Sequence, residues 1–220
     1  MYYIQKLGID NPLDQAQLEE ALKTGVVMPT DLACVPGMSE WKDLEDLAEC
    51  PPVCKIISKF FDDVADLQLL WRYHQKYPEN QFFGHRILDI GSVVRGKFDE
   101  HHDELGRHPL ALQAFALACF YHGDVRMSED AFRSYDDEEN WDEIDTLQRT
   151  NAKYCISMFE IAANMFDEPE FQLRKVMPLL LLGQHDQALK AVEAAEQLNN
   201  GDPAIAERCR IAREQVIELM

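Results

Sequence analysis

From Cys54 to the end of the chain the apolar residues recur at helical spacing, and no stretch alternates apolar and polar residues as a half-buried strand does. Any sheet is thereby confined to the first fifty or so residues, and the remainder must bury itself helix against helix. Ile56, Phe60, Phe61, Val64, Leu67, Leu70 and Trp71 fall on one broad face of a predicted helix over 56–77. Lys59, Asp62, Asp63, Asp66 and Arg72 lie mostly opposite, and Pro78 stops it. One or two helices are predicted over 82–105, weakened by Gly84, Gly91 and Gly96 and closed by Gly106 and Pro109. The apolar stretch 110–122 then meets Gly123-Asp124, which predicts a turn with a return helix over 127–135. The acidic run Asp136-Asp137-Glu138-Glu139 predicts an exposed connection or helix start. A long helix is predicted over 141–166, with Ile144, Leu147, Ala152, Cys155, Ile156, Phe159, Ile161 and Ala162 as its burial candidates.

The first 48 residues read differently. Tyr2-Tyr3-Ile4 suits a short strand, and Gly8, Asp10, Asn11 and Pro12 break it. Leu18 and Leu22, four apart, mark a short amphipathic helix with Asp14 as N-cap and Gly25 as stop. Val26-Val27-Met28 and Leu32-Ala33-Cys34-Val35 are β-favouring runs, and Pro36-Gly37 turns the chain before Met38 and Trp41. Acidic residues, Cys50 and Pro51-Pro52 then mark a boundary. The organisation expected is a small α+β module over 1–48, a proline-stiffened linker over 49–55 and a helical body over 56–220.

The ordered set Tyr2-Tyr3, Gly8, Pro12, Leu18, Leu22, Gly25, Pro29-Thr30, Leu32, Gly37-Met38 and Trp41 resembles the GYF-like domain of the type-2 family, a small α+β module. It departs from that pattern at Asn11, where glycine is usual, and at Ala33-Cys34, where an aromatic residue is common; the Gly-Tyr-Phe tripeptide of the parent family is absent. The parent family grips proline-rich peptides on an aromatic surface. A polyproline helix is already ordered and loses little entropy on binding. The resemblance implies a peptide-binding surface made from Tyr2, Tyr3, Pro12, Leu13, Met38 and Trp41. A module this small is short of core, so Tyr3 and Trp41 are expected inside before they are expected on a ligand, while Tyr2 suits either place.

Farther along, Leu182-Gly183-Gln184-His185-Asp186-Gln187-Ala188-Leu189, followed by Asn199-Asn200-Gly201-Asp202-Pro203, resembles one tetratricopeptide repeat turn and second helix. His185 stands where that family usually has an aromatic residue, and Ala188 where it has a small one. The next helix is expected over 204–219 with Ile205, Cys209, Ile211, Ala212 and Val216 inside. His122-Gly123-Asp124 with Ala131 reads as a degenerate earlier copy. No clean repeat period runs through the body, which is therefore expected to be repeat-like helical hairpins.

Function classes narrow with charge. The 220 residues carry a formal net charge of −19, which repels phosphate backbones and anionic lipid and so argues against nucleic acid or a membrane surface as partner. Without an apparent signal peptide or apolar span, a cytoplasmic protein is expected. The six cysteines read as free thiols: Cys50-Pro51-Pro52-Val53-Cys54 is neither a redox Cys-x-x-Cys nor half of a recognisable zinc set. The cluster Asp99-Glu100-His101-His102-Asp103-Glu104, with His108 nearby, offers pairs three apart suited to two positions on a metal. It equally suits a solvated charged face, the reading preferred. No phosphate loop, nucleophile elbow or His-Glu-x-x-His is present. The reading reached is a non-catalytic interaction protein without cofactor, taking a peptide or protein partner, proline-rich or basic. A metal-dependent helical protein built on His101, His102 and His108 is the alternative, and a homodimer through apolar helix faces a further arrangement.

Overall fold

The computed structural model describes the backbone of residues 1–132 and 141–220 and the side chains of 1–127 and 146–220. Helix dominates, and a three-stranded antiparallel sheet with one helix occupies the N-terminus, the α+β architecture expected. The acidic run Asp136-Asp137-Glu138-Glu139 and the burial expected of Ile144 lie outside the described residues.

Two compact units emerge. The first joins Met1–Leu69 with Ser92–Phe115, and the second joins Leu70–Gly91 with Ala116–Met220. In the first, β1 (Tyr3–Ile4), β2 (Leu32–Cys34) and β3 (Lys42–Asp43) pair in chain order. Helix α1 (Gln15–Lys23) opens on a full capping box: the Asp14 carboxylate accepts from the Gln17 N–H, and the Gln17 side chain accepts from the Asp14 N–H. Gly25, at φ +72°, releases the chain after Thr24. Leu18 and Leu22 are completely buried, as are Ile4, Val27, Ala33 and Leu44. The Val26-Val27-Met28 run forms no strand; it buries Val27 alone and leaves Val26 exposed.

Helix α2 (Pro52–Lys76) begins inside the stretch read as a linker. Proline in a first helical turn needs no N–H partner, so Pro51-Pro52 leads into the helix rather than standing before it. Helix α3 (Gln81–Glu100) ends where His101 leaves helical geometry, and α4 (His102–Leu105) follows. The α1 face meets α4, and Arg107 pairs with Glu20. Phe60 is buried with its ring 5.9 Å from Phe98, which stacks on Phe115 at 4.0 Å.

The turn expected at Gly123-Asp124, and with it the degenerate repeat copy at His122-Gly123-Asp124, is not there. Helix α5 runs unbroken over Pro109–Phe132. Glycine serves packing here, since a Cβ on Gly123 would sit 3.0 Å from Cε1 of Phe159 on α6 (Trp141–Met165). Gly91 is alike: its Cβ would meet the His122 ring at 2.9 Å, whereas one on Gly96 would meet open space. Gly91→Ala is therefore expected to destabilise the protein by about 1–3 kcal/mol through overpacking, despite the helix propensity it gains. Gly96→Ala should stabilise it by roughly 0.5–1 kcal/mol. Urea midpoints of the two variants would check both signs.

In the second unit, short helices α7 (Pro169–Leu173) and α8 (Val176–Leu181) pack on α6 and on α9 (His185–Leu198), and α10 (Pro203–Glu218) lies against α9. Gly183, at φ +69°, makes the α8–α9 turn. Asn199 accepts from the Asp202 N–H at 2.8 Å, and Asp202 caps α10 by accepting from the Ala204 N–H at 2.8 Å. Ala188, Ala191, Val192, Ala195, Cys209 and Val216 form the hairpin core, with Ile205 and Ala212 packed on it. Ile211 and Leu147, expected inside, are each 41% exposed; their helices turn other residues inward. All six cysteines are free. Among the described residues no helix is long and apolar enough to cross a membrane.

Candidate functional site

The sheet register sorts the N-terminal residues by face. Ile4 pairs with Ala33, and both are fully buried, so that face points into the module. Tyr3 pairs with Cys34 on the opposite, outward face, and both are half-buried. Lys42 pairs with Ala33, so continuing the register by one residue sets Trp41 against Cys34. Tyr3, Cys34 and half-buried Trp41 thus form a row across the sheet. Leu13 bridges Tyr2 through N···O contacts of 2.7 and 2.8 Å, which places Pro12 and Leu13 along the β1 edge, both half-buried. Met38, also half-buried, follows the Gly37 turn, its N–H donating to the Val35 carbonyl. Tyr2 departs from the others: it is 6% exposed, and its hydroxyl donates to the Glu49 carbonyl at 2.6 Å. Burial, aided by the Glu49 charge, pushes the phenol above its ordinary value. Tyr2 is committed to the fold, while the remaining candidates keep part of their surface in water.

The histidine cluster disperses. His101 lies 3.9 Å from Glu104, and His102 is exposed with its ring edge-on to Phe98. His108 is fully buried against Phe61. Its Nδ1 accepts from the Ala111 N–H at 3.2 Å, capping α5, so the neutral ring carries its proton on Nε2, which has no hydrogen-bond partner. Among the described residues no three His, Cys, Asp or Glu side chains gather to hold a metal ion. Burial lowers the His108 pKa below 6.5. Above that value both folded and unfolded chains hold it neutral, and its contribution to stability is intact. As the pH falls through the unfolded value, the unfolded chain takes up a proton that the fold refuses, and stability declines. Denaturant unfolding at several pH values should show this decline in the native protein and a shallower one in His108→Gln.

A second aromatic assembly was not foreseen. Trp71 and Gln75 of α2, Leu117, Phe120 and Tyr121 of α5, and Phe171 of α7 border a cleft of about 270 Å³, with Glu170 and Arg174 at its side. Trp71 stacks on Tyr121 at 4.8 Å, and Phe171 stands edge-on to Phe120 at 4.7 Å. Beneath them Asp124 is 3% exposed. Its carboxylate accepts from the Trp71 indole N–H at 3.0 Å and from Gln75 Nε2 at 3.2 Å, and pairs with Arg174 at 2.7 Å. Glu170 binds both Arg174 and Arg208. Burial pushes the Glu170 carboxyl up, but the two guanidiniums outweigh it and hold it below the ordinary carboxylate range. Trp71 was legible as an apolar-face residue. Asp124 was hidden by the turn reading of Gly123-Asp124, although a carboxylate inside an apolar run is itself a signal.

No protein-family model matches the chain, and neither a curated protein nor a solved structure matches it.

Proposed function

We propose that this is a non-catalytic interaction protein that takes a proline-rich or basic peptide, or a protein surface presenting one. The observation carrying this reading is the Trp71–Tyr121 cleft. A half-buried indole is fixed there in advance by a stacked ring and a buried carboxylate. Trp, Tyr and Arg dominate binding energies when their rotamers are already set, because little entropy remains to be lost. The outward Tyr3–Cys34–Trp41 row of the GYF-like module offers a second aromatic surface to the same kind of partner. The net charge of −19 favours basic flanking residues and rejects acidic partners.

An array of proline-rich, basic and scrambled peptides probed with the intact chain tests the proposal. Selective binding is expected, weakened by about 2 kcal/mol or more in Trp71→Ala, the loss typical of an anchoring aromatic residue. Trp41→Ala separates the two surfaces: a loss there with Trp71→Ala silent moves the site to the module. Binding untouched by both variants in folded protein, or no selectivity over scrambled peptides, overturns the proposal.

A further inference from the structure

A different cavity, in the first unit, has the opposite charge from the chain that holds it. It measures about 300 Å³ and is bordered by Lys55 and Lys59 of α2 and Lys97 of α3. Its apolar wall is Ile56, Phe60 and Leu105; Phe60 and Leu105 are buried, and Ile56 is half-buried. Lys97 is paired with Asp63. Lys55 and Lys59, one helical turn apart and exposed, make no ion pair among the described residues. Arg107, Arg174, Arg208, Arg210 and Arg213, by contrast, are each bound to a carboxylate. Lys23 and Lys42 are likewise without an ion pair among the described residues, so what sets Lys55 and Lys59 apart is their place over an apolar wall. Glu100 is the one acidic residue bordering the cavity, and its charge disfavours a multiply charged anion more than a singly charged one.

We infer that this cavity binds a small amphipathic carboxylate, with the carboxylate between Lys55 and Lys59 and the apolar part against Phe60 and Leu105. Lysine ammonium groups are point charges that bind a carboxylate without the planar fork an arginine site imposes. A bare inorganic anion leaves the apolar wall unused, and a neutral hydrocarbon leaves the lysines unused. The volume is at the small end of ligand pockets, room for a short acyl chain or one apolar side chain. Two sources share this chemistry: a free short-chain carboxylic acid, and the C-terminal carboxylate of a peptide ending in an apolar residue. The inference is independent of the aromatic cleft and stands or falls without it.

Calorimetric titration of the intact chain tests it with octanoate, octanol, inorganic phosphate, and a short leucine-terminated peptide as its free acid and its amide. Saturable binding of octanoate, of the free-acid peptide or of both is expected, and which of them binds identifies the source. Octanol and the amide should bind at least about ten-fold more weakly, the usual consequence of losing a charged hydrogen-bonding partner. Lys55→Gln with Lys59→Gln should weaken the carboxylate to a similar extent. Both side chains are exposed, so an unchanged melting temperature is expected to accompany the loss. Trp71→Ala, which tests the aromatic cleft, should leave this binding unchanged. No saturable carboxylate binding, equal binding of acid and neutral analogue, phosphate binding as tight as octanoate, or indifference to the double lysine change would each overturn the inference.

Discussion

Replacing Asp124 with alanine is expected to destabilise the protein by about 3 kcal/mol, the lower part of the range for breaking a buried charged network. The carboxylate is 3% exposed and takes hydrogen bonds from Trp71 and Gln75 beside its ion pair with Arg174. Its removal leaves the indole N–H without its acceptor and opens a gap within α5. The loss stays near the lower limit because Arg174 retains Glu170 and is 35% exposed, so its charge is not stranded. Asp124→Asn keeps an acceptor for the indole and loses the charge; about 1–2 kcal/mol is expected, the worth of hydrogen bonds weakened from charged to neutral. Urea unfolding gives the stability difference. The indole N–H resonance of Trp71 reports the local effect, moving far in Asp124→Ala and little in Asp124→Asn. An alanine variant as stable as the native protein would remove Asp124 as the brace of the cleft, leaving ring stacking alone to hold Trp71.

Local chemistry was legible wherever one residue type suffices to set it. Asp14, Gly25, Pro203 and Asp202 mark helix ends because capping and left-handed backbone depend on a handful of side chains near in sequence. That strands, among the described residues, stay within the first 48 was legible for the same reason: periodicity is a local property. Strand β3 was not, since two residues, Lys42 and Asp43, carry no alternation; only their pairing with β2 makes them a strand.

Gly123 shows where sequence reading stops. A glycine followed by aspartate is turn chemistry in isolation, yet both residues lie in the middle of α5. Gly123 is there because Phe159 lies against it, and Asp124 because Trp71 and Gln75 face it from α2 and Arg174 from the C-terminal cap of α7. Those partners are 36, 53, 49 and 50 positions away along the chain, so no window around Gly123 contains the reason for it. The aromatic cleft was lost with the turn. In the histidine cluster the converse held: three rings close in sequence offered one site as the alternative reading, and helix geometry sent them to a solvent-facing surface, a break between two helices and a buried cap.

Phe60→Ala is the other substitution with a large expected effect, about 3–5 kcal/mol. The side chain is 1% exposed, and its ring faces Phe61 at 6.1 Å and Phe98 at 5.9 Å. Its removal costs the transfer energy of the ring and leaves a void that helices cannot readily close, because α2 and α3 are also tied by the Lys97–Asp63 pair. Phe61→Ala should cost distinctly less, since Phe61 is only half-buried and its packing partner His108 retains its cap on Ala111. The comparison separates burial from ring identity, because the two residues are neighbours with the same side chain. In denaturant titrations a lower midpoint with an unchanged slope in Phe60→Ala would mean the native surface is kept and only its stability falls. A reduced slope would mean the void lets the Phe98–Phe115 stack loosen before unfolding, making Phe60 the residue that holds that cluster rigid. Equal losses from Phe60→Ala and Phe61→Ala would contradict the burial assigned to both.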